Sequence, residues 1–99
     1  MVRHIVAWNL QEQFSQEEKE AHAQRIKKEL EALTEVIPGV VSIKVAIKLE
    51  KNSDREIVLD SLFINQEALE AYRIHPAHVE AGKFVRSVVQ DRVALDFEM

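Results

Sequence analysis

Cysteine is missing from the sequence, which excludes a disulfide framework, a zinc site built on thiolates and thiol catalysis. A basic excess is missing too. The formal charge of −4 and the pI near 5.5 argue against a nucleic-acid surface, which carries a basic patch. The one basic cluster, Arg25, Lys27 and Lys28, is interleaved with Glu29 and Glu31 and reads as a solvated helix face. No stretch approaches the roughly 20 apolar residues of a membrane span, and Met1 to Val6 lacks the apolar core of a signal peptide. The expectation is a cytoplasmic protein with neither nucleic acid nor membrane as a partner. Proline and glycine occur twice each, tyrosine and tryptophan once, so each of these residues marks a particular place.

What is present suits one domain over residues 1–99. At 46% hydrophobic and 30% charged residues, the composition is that of a globular chain. Val2 to Leu10 alternates as a strand, with Val2, His4, Val6, Trp8 and Leu10 on one face and Arg3, Ile5, Ala7 and Asn9 on the other. Ser15 with Glu18 forms a capping box at a helix start. The stripe Ala23, Ile26, Leu30, Leu33, Ile37 predicts one long amphipathic helix, ended by Pro38 and Gly39. Val40 to Leu49 reads as a second strand, with Val41, Ile43, Val45, Ile47 and Leu49 in strict alternation. A polar turn at Lys51 to Asp54 precedes a third strand from Ile57 to Ile64, apolar on both faces. Asn65 caps a second helix with Ala68, Leu69 and Tyr72 inside. Helix resumes at Pro76, a good first-turn residue, and runs to about Val88. Arg92 to Glu98 is the last strand.

This β-α-β-β-α-β order predicts an α+β, ferredoxin-like fold: a four-stranded antiparallel sheet with its helices on one face. The other face stays bare. Its apolar residues predict packing against a second copy in an isologous homodimer, with Lys44, Lys48 and Asp60 as the groups that could instead keep the face wet.

Chemistry concentrates in Tyr72 to Val79. This segment holds the only tyrosine and two of the four histidines, His75 and His78. A phenol near a neutral imidazole is a usable acid–base pair, able to remove a proton beside a carbonyl and stabilise the enolate. The structural readings stand beside it: Tyr72 as core with a bonded hydroxyl, His75 as a cap or hinge, His4 as a hydrogen-bonded core histidine. His22 sits on the exposed part of helix one. The HExxH pattern of zinc helices is absent, and no metal or cofactor is expected.

The opening Val2, Arg3, His4, Ile5, Val6, Trp8 and Leu10, the Ile37-Pro38-Gly39 helix end, Tyr72 with His75-Pro76 and His78-Val79, and the closing Asp91-Arg92-Val93 with Asp96-Phe97 resemble the stress-responsive α/β-barrel (Dabb) domain across essentially the whole chain. The resemblance implies ferredoxin-like subunits paired sheet to sheet as a dimeric α/β barrel. Relatives include plant polyketide cyclases such as olivetolic acid cyclase, which close a linear polyketide by aldol condensation without a cofactor. By that resemblance His78 is the general base and Tyr72 holds the substrate carbonyl. His4, Val6, Trp8 and His75 are then substrate-binding positions. Ile26, Lys27 and Leu30 stand where the plant cyclase has aromatics, and Arg92 and Ala94 where it has bulkier apolar groups. A smaller or anionic ligand paired to Arg92, between sheet and helices, fits these residues better. Three readings stay open: a stress-linked dimer without catalysis, a cyclase or lyase acting on a polyketide-like or β-keto molecule, and a cofactor-free monooxygenase or haem-handling barrel.

Overall fold

The computed structural model describes Met1 to Met99. Four strands, β1 (Val2–Leu10), β2 (Val40–Ala46), β3 (Ile57–Phe63) and β4 (Val89–Glu98), form one antiparallel sheet in the order β2-β3-β1-β4. Three helices, α1 (Gln16–Glu31), α2 (Gln66–Ile74) and α3 (Pro76–Val88), complete the ferredoxin-like α+β architecture. No helix is long and apolar enough to cross a membrane.

β1 lies in the middle of the sheet, and its alternation sets the layers. Val2, His4, Val6, Trp8 and Leu10 are all buried, while the residues between them are half-buried. The buried row continues through Ile57, Leu59, Ser61 and Phe63 of β3 and Ile43 and Val45 of β2. Against it pack Ala23, Ile26 and Leu30 of α1, Ala68, Leu69 and Tyr72 of α2, and Ala81, Val85 and Val88 of α3.

Both expected caps of the first two helices form. Ser15 Oγ accepts from the Glu18 N–H at 3.1 Å while the Glu18 carboxylate accepts from the Ser15 N–H, and Asn65 Oδ1 accepts from the Ala68 N–H. Gly39 has a φ of +86°, and a Cβ there would stand 2.6 Å from Ala68 Cβ, so only glycine allows both the turn and the approach of α2.

Four expectations are corrected. The long first helix is α-helical only to Glu31 and then tightens into a 3₁₀ turn over Ala32–Glu35, with Leu33 in the turn and Ile37 just after it still buried. β2 stops at Ala46, and a register shift between Val40 and Ser42 turns Val41 outward, so the strict alternation fails there. β4 begins three residues early, because Val89 and Gln90 pair with Leu10 and Asn9 across a bulge where Asp91 takes a φ of +56°. His22 is half-buried, with edge-on aromatic contacts to Phe14 and Phe84.

The face away from the helices carries the half-buried Ile5, Ala7, Val58 and Leu62 beside the exposed Val93, Leu95 and Phe97. Its charged residues include Arg3 and Asp60, paired to each other at 2.5 Å.

Candidate functional site: a cavity between β1 and α3

The break between α2 and α3 builds the site. Pro76 disfavours helical backbone at the residue before it, and His75 is accordingly extended, with φ −64° and ψ 134°. In an unbroken helix the Ala77 N–H would bond the Arg73 carbonyl. Instead it donates to His75 Nδ1 at 3.1 Å, so His75 caps α3. The Arg73 carbonyl, left without its helical partner, meets His78 Nδ1 at 3.1 Å. A carbonyl oxygen only accepts, so Nδ1 carries the hydrogen and Nε2 keeps its lone pair.

A cavity of about 490 Å³ lies beside this break. His4, Val6 and Trp8 of β1, Tyr72 and Arg73 of α2, and His78, Gly82, Val85 and Arg86 of α3 line it, with Arg92 at the bulge of β4 and Leu30 from α1. Of the residues singled out from sequence, His4, Val6, Trp8, Tyr72, His78 and Arg92 therefore meet in one place. His75 does not line the cavity, since its ring is turned back to cap α3. On α1, Lys27 faces elsewhere: it reaches the Val45 carbonyl and the Glu31 carboxylate, both at 2.8 Å.

Tyr72 is fully buried, 4.9 Å from the ring of Phe63 and 4.3 Å from the ring of His78, tilted 39° to the latter. Its hydroxyl is the one buried side-chain polar atom without a hydrogen-bond partner. Burial pushes its pKa up to about 12, so Tyr72 is a donor throughout the physiological range. His78 titrates below its ordinary value: burial is the main cause, opposed by the bond to the Arg73 carbonyl and aided by the positive charges of His4, Arg86 and Arg73. His78 is thus neutral at pH 7 and can accept a proton. Its folded value lies below the unfolded one, so stability falls as pH drops below 6.5, where the unfolded chain binds the extra proton first.

His4 is held from the other side. Its Nδ1 hydrogen-bonds to Asp96 Oδ1, and Asp96 Oδ2 accepts from Arg73 at 2.6 Å. Burial pulls the Asp96 carboxyl upward, but the bond and charge of His4, with those of Arg73, hold it below the usual range. An ionised Asp96 fixes the His4 hydrogen on Nδ1 and ties α2, β1 and β4 together at the cavity.

Arg73, Asp96 and Arg86 carry much of this site and are not among the site residues expected from sequence, where Asp96 stands only in the family resemblance. The legible hint was spacing: Arg86 stands eight residues after His78, with Gly82 midway, on one face of α3.

The family model for the stress responsive A/B barrel domain matches residues 2–99. The chain belongs to this family. A dimeric ferredoxin-like protein of unknown function from Bacteroides fragilis shares 32% identity and superimposes with a TM-score of 0.91, covering 99% of this chain and 95% of that one. A Dabb protein of Mesorhizobium loti shares 24% identity at a TM-score of 0.74, with 99% and 95% coverage. The hydroxynitrile lyase of Passiflora edulis shares the fold, at 20% identity, a TM-score of 0.79, and 97% and 90% coverage. No curated protein matches the sequence.

Because this Dabb domain has one tyrosine, tyrosinate absorbance on alkaline titration reports Tyr72 alone. The rise is expected near pH 12, and the contribution of the protonated phenol to stability is lost between pH 10 and 12. A rise near pH 10 with the fold intact would contradict this placement of the ring.

Proposed function

We propose that this Dabb domain works in the cytoplasm as a homodimer joined through its open sheet face, and that it catalyses cofactor-free proton transfer at a carbon beside a carbonyl. The observation that carries the reading is the Tyr72 hydroxyl, buried without a partner beside a neutral His78. Leaving such a donor unbonded costs about 1–3 kcal/mol. Tyr72 lines the cavity, so its hydroxyl is a donor not committed to the protein and open to a bound carbonyl.

In the proposed step His78 Nε2 takes the α-proton, and the C–H electron pair moves into the enolate. Tyr72 donates a hydrogen bond to the developing enolate oxygen, which is the place where a preorganised donor lowers a barrier. The enolate carbon then either regains a proton from His78 or attacks a second carbonyl of the same molecule. In the second case the His78 proton passes to the new alkoxide, which is the aldol closure of the plant cyclases. A cavity of about 490 Å³ is within the range of small-molecule sites. With only Leu30 from α1 and no aromatic wall, it favours a short substrate over a long polyketide. The Passiflora edulis protein of the same fold is a hydroxynitrile lyase by name, so this fold houses a lyase in at least one other protein.

Tyr72→Phe is expected to keep or raise the urea midpoint while lowering α-proton exchange of β-keto compounds in deuterated water about 10²-fold or more. His78→Ala should lose exchange by about 10²–10⁴-fold at a stability cost near 1 kcal/mol, that of its bond to Arg73. A melting temperature several degrees lower in Tyr72→Phe, with no exchange by the unaltered protein, would assign both groups to the fold and leave a dimer without catalysis.

The dimer rests on the apolar open face, where Leu95 is 63% exposed and Phe97 46%, and on the dimeric relative from Bacteroides fragilis. Sedimentation should give twice 11.4 kDa at micromolar concentration, and Leu95→Glu should shift the protein to monomer. An unaltered chain sedimenting at 11.4 kDa would contradict it.

A further inference from the structure

We infer that the ligand of this cavity is a short 3-oxo carboxylate, its carboxylate held by the Arg86 guanidinium where it folds back over Gly82, one helical turn from His78. The inference rests on the proton-transfer reading and adds the substrate class.

His78, Gly82 and Arg86 are four residues apart and so stack along one face of α3, a little over one turn each. All three line the cavity. Gly82 is buried, and a Cβ placed on it would stand 2.9 Å from Arg86 Nη1, 3.7 Å from Cζ and 3.9 Å from Nη2. The guanidinium therefore folds back over Gly82, toward His78. Glycine inside a helix is less favourable than alanine, yet here it leaves the seat that the guanidinium occupies.

The charge in that seat is unspent. Arg73 is paired with Asp96, whereas Arg86 forms no salt bridge and no side-chain hydrogen bond. Arg92, at the same cavity, has no salt bridge either, and the one carboxylate among the lining residues is Asp91. An arginine fork presents paired N–H donors to a carboxylate. With the anion one turn from the base, the carbon between carboxylate and ketone comes to His78. That carbon is the acidic one of a 3-oxo acid.

The test titrates acetoacetate, and acetylacetone as its neutral isostere, into ¹⁵N-labelled protein at fixed ionic strength, and follows the amides of Gly82 and Arg86. Acetoacetate should bind about tenfold or more tightly than acetylacetone, the scale of a charge-assisted hydrogen bond. Arg86→Gln and Gly82→Ala should each bring the affinity for acetoacetate down to that for acetylacetone. The urea midpoint of Gly82→Ala should be no lower than that of the unaltered protein, because the alanine methyl displaces only the end of a flexible side chain.

Failure of acetoacetate to bind, equal affinity for the two compounds, or full affinity in Arg86→Gln would overturn the inference. His78→Ala separates it from the reading beneath. Arg86-dependent binding without His78-dependent deuterium exchange would leave the carboxylate seat standing and remove the proton transfer. Exchange that needs His78 and ignores Arg86 would do the reverse.

Discussion

The site depends on one steric constraint: Pro76 keeps His75 out of helical backbone. That single extended residue divides one continuous run into α2 and α3 and reassigns two hydrogen-bonding groups. The Ala77 N–H goes to the His75 ring and the Arg73 carbonyl to the ring of His78, while the Val79 N–H to the His75 carbonyl restarts the regular helical pattern. The bond to the Arg73 carbonyl selects the tautomer of His78, so the lone pair proposed as the base follows from the geometry of a helix break. Without the proline, the Arg73 carbonyl would bond a backbone N–H, and His78 would lose the anchor that fixes its hydrogen.

A second tie joins the same loop to the sheet. Arg73 sends its carbonyl to His78 and its guanidinium to Asp96, which in turn holds His4. One residue thus helps orient the rings of both cavity histidines. The two rings are held differently: His4 against an ionised carboxylate, His78 in a buried setting beside positive charges that favours its neutral form. Tyr72 lies against His78 and stays protonated. A neutral imidazole, a phenol donor and an arginine without a salt bridge then line one cavity, and each is held by a different local cause.

Much of this was legible in the residues. The period-two row of β1, the Ser15 and Asn65 caps, and the α-β order depend on neighbours close in sequence, and the ferredoxin-like fold follows from them. The gathering of His4, Val6, Trp8, Tyr72, His78 and Arg92 follows from that fold. The misses share a different physical origin. The bulges at Val41 and Asp91 are matters of register, which a strand does not reveal without its partner. Asp96 reaches Arg73 only because β4 pairs beside β1 and the α2 end passes over it, a contact 23 residues apart in sequence. The motif places His75 with the binding positions, yet the proline that follows turns its ring back to the helix start.

The proposed chemistry requires a neutral His78 with its hydrogen on Nδ1. Long-range ¹H–¹⁵N NMR of the imidazole rings tests it most directly. The structure predicts that at pH 7 the His78 ring is neutral with the proton on Nδ1, and that it takes its second proton only below pH 6.5. A His78 ring that is imidazolium at pH 7, or neutral with the proton on Nε2, would contradict the account.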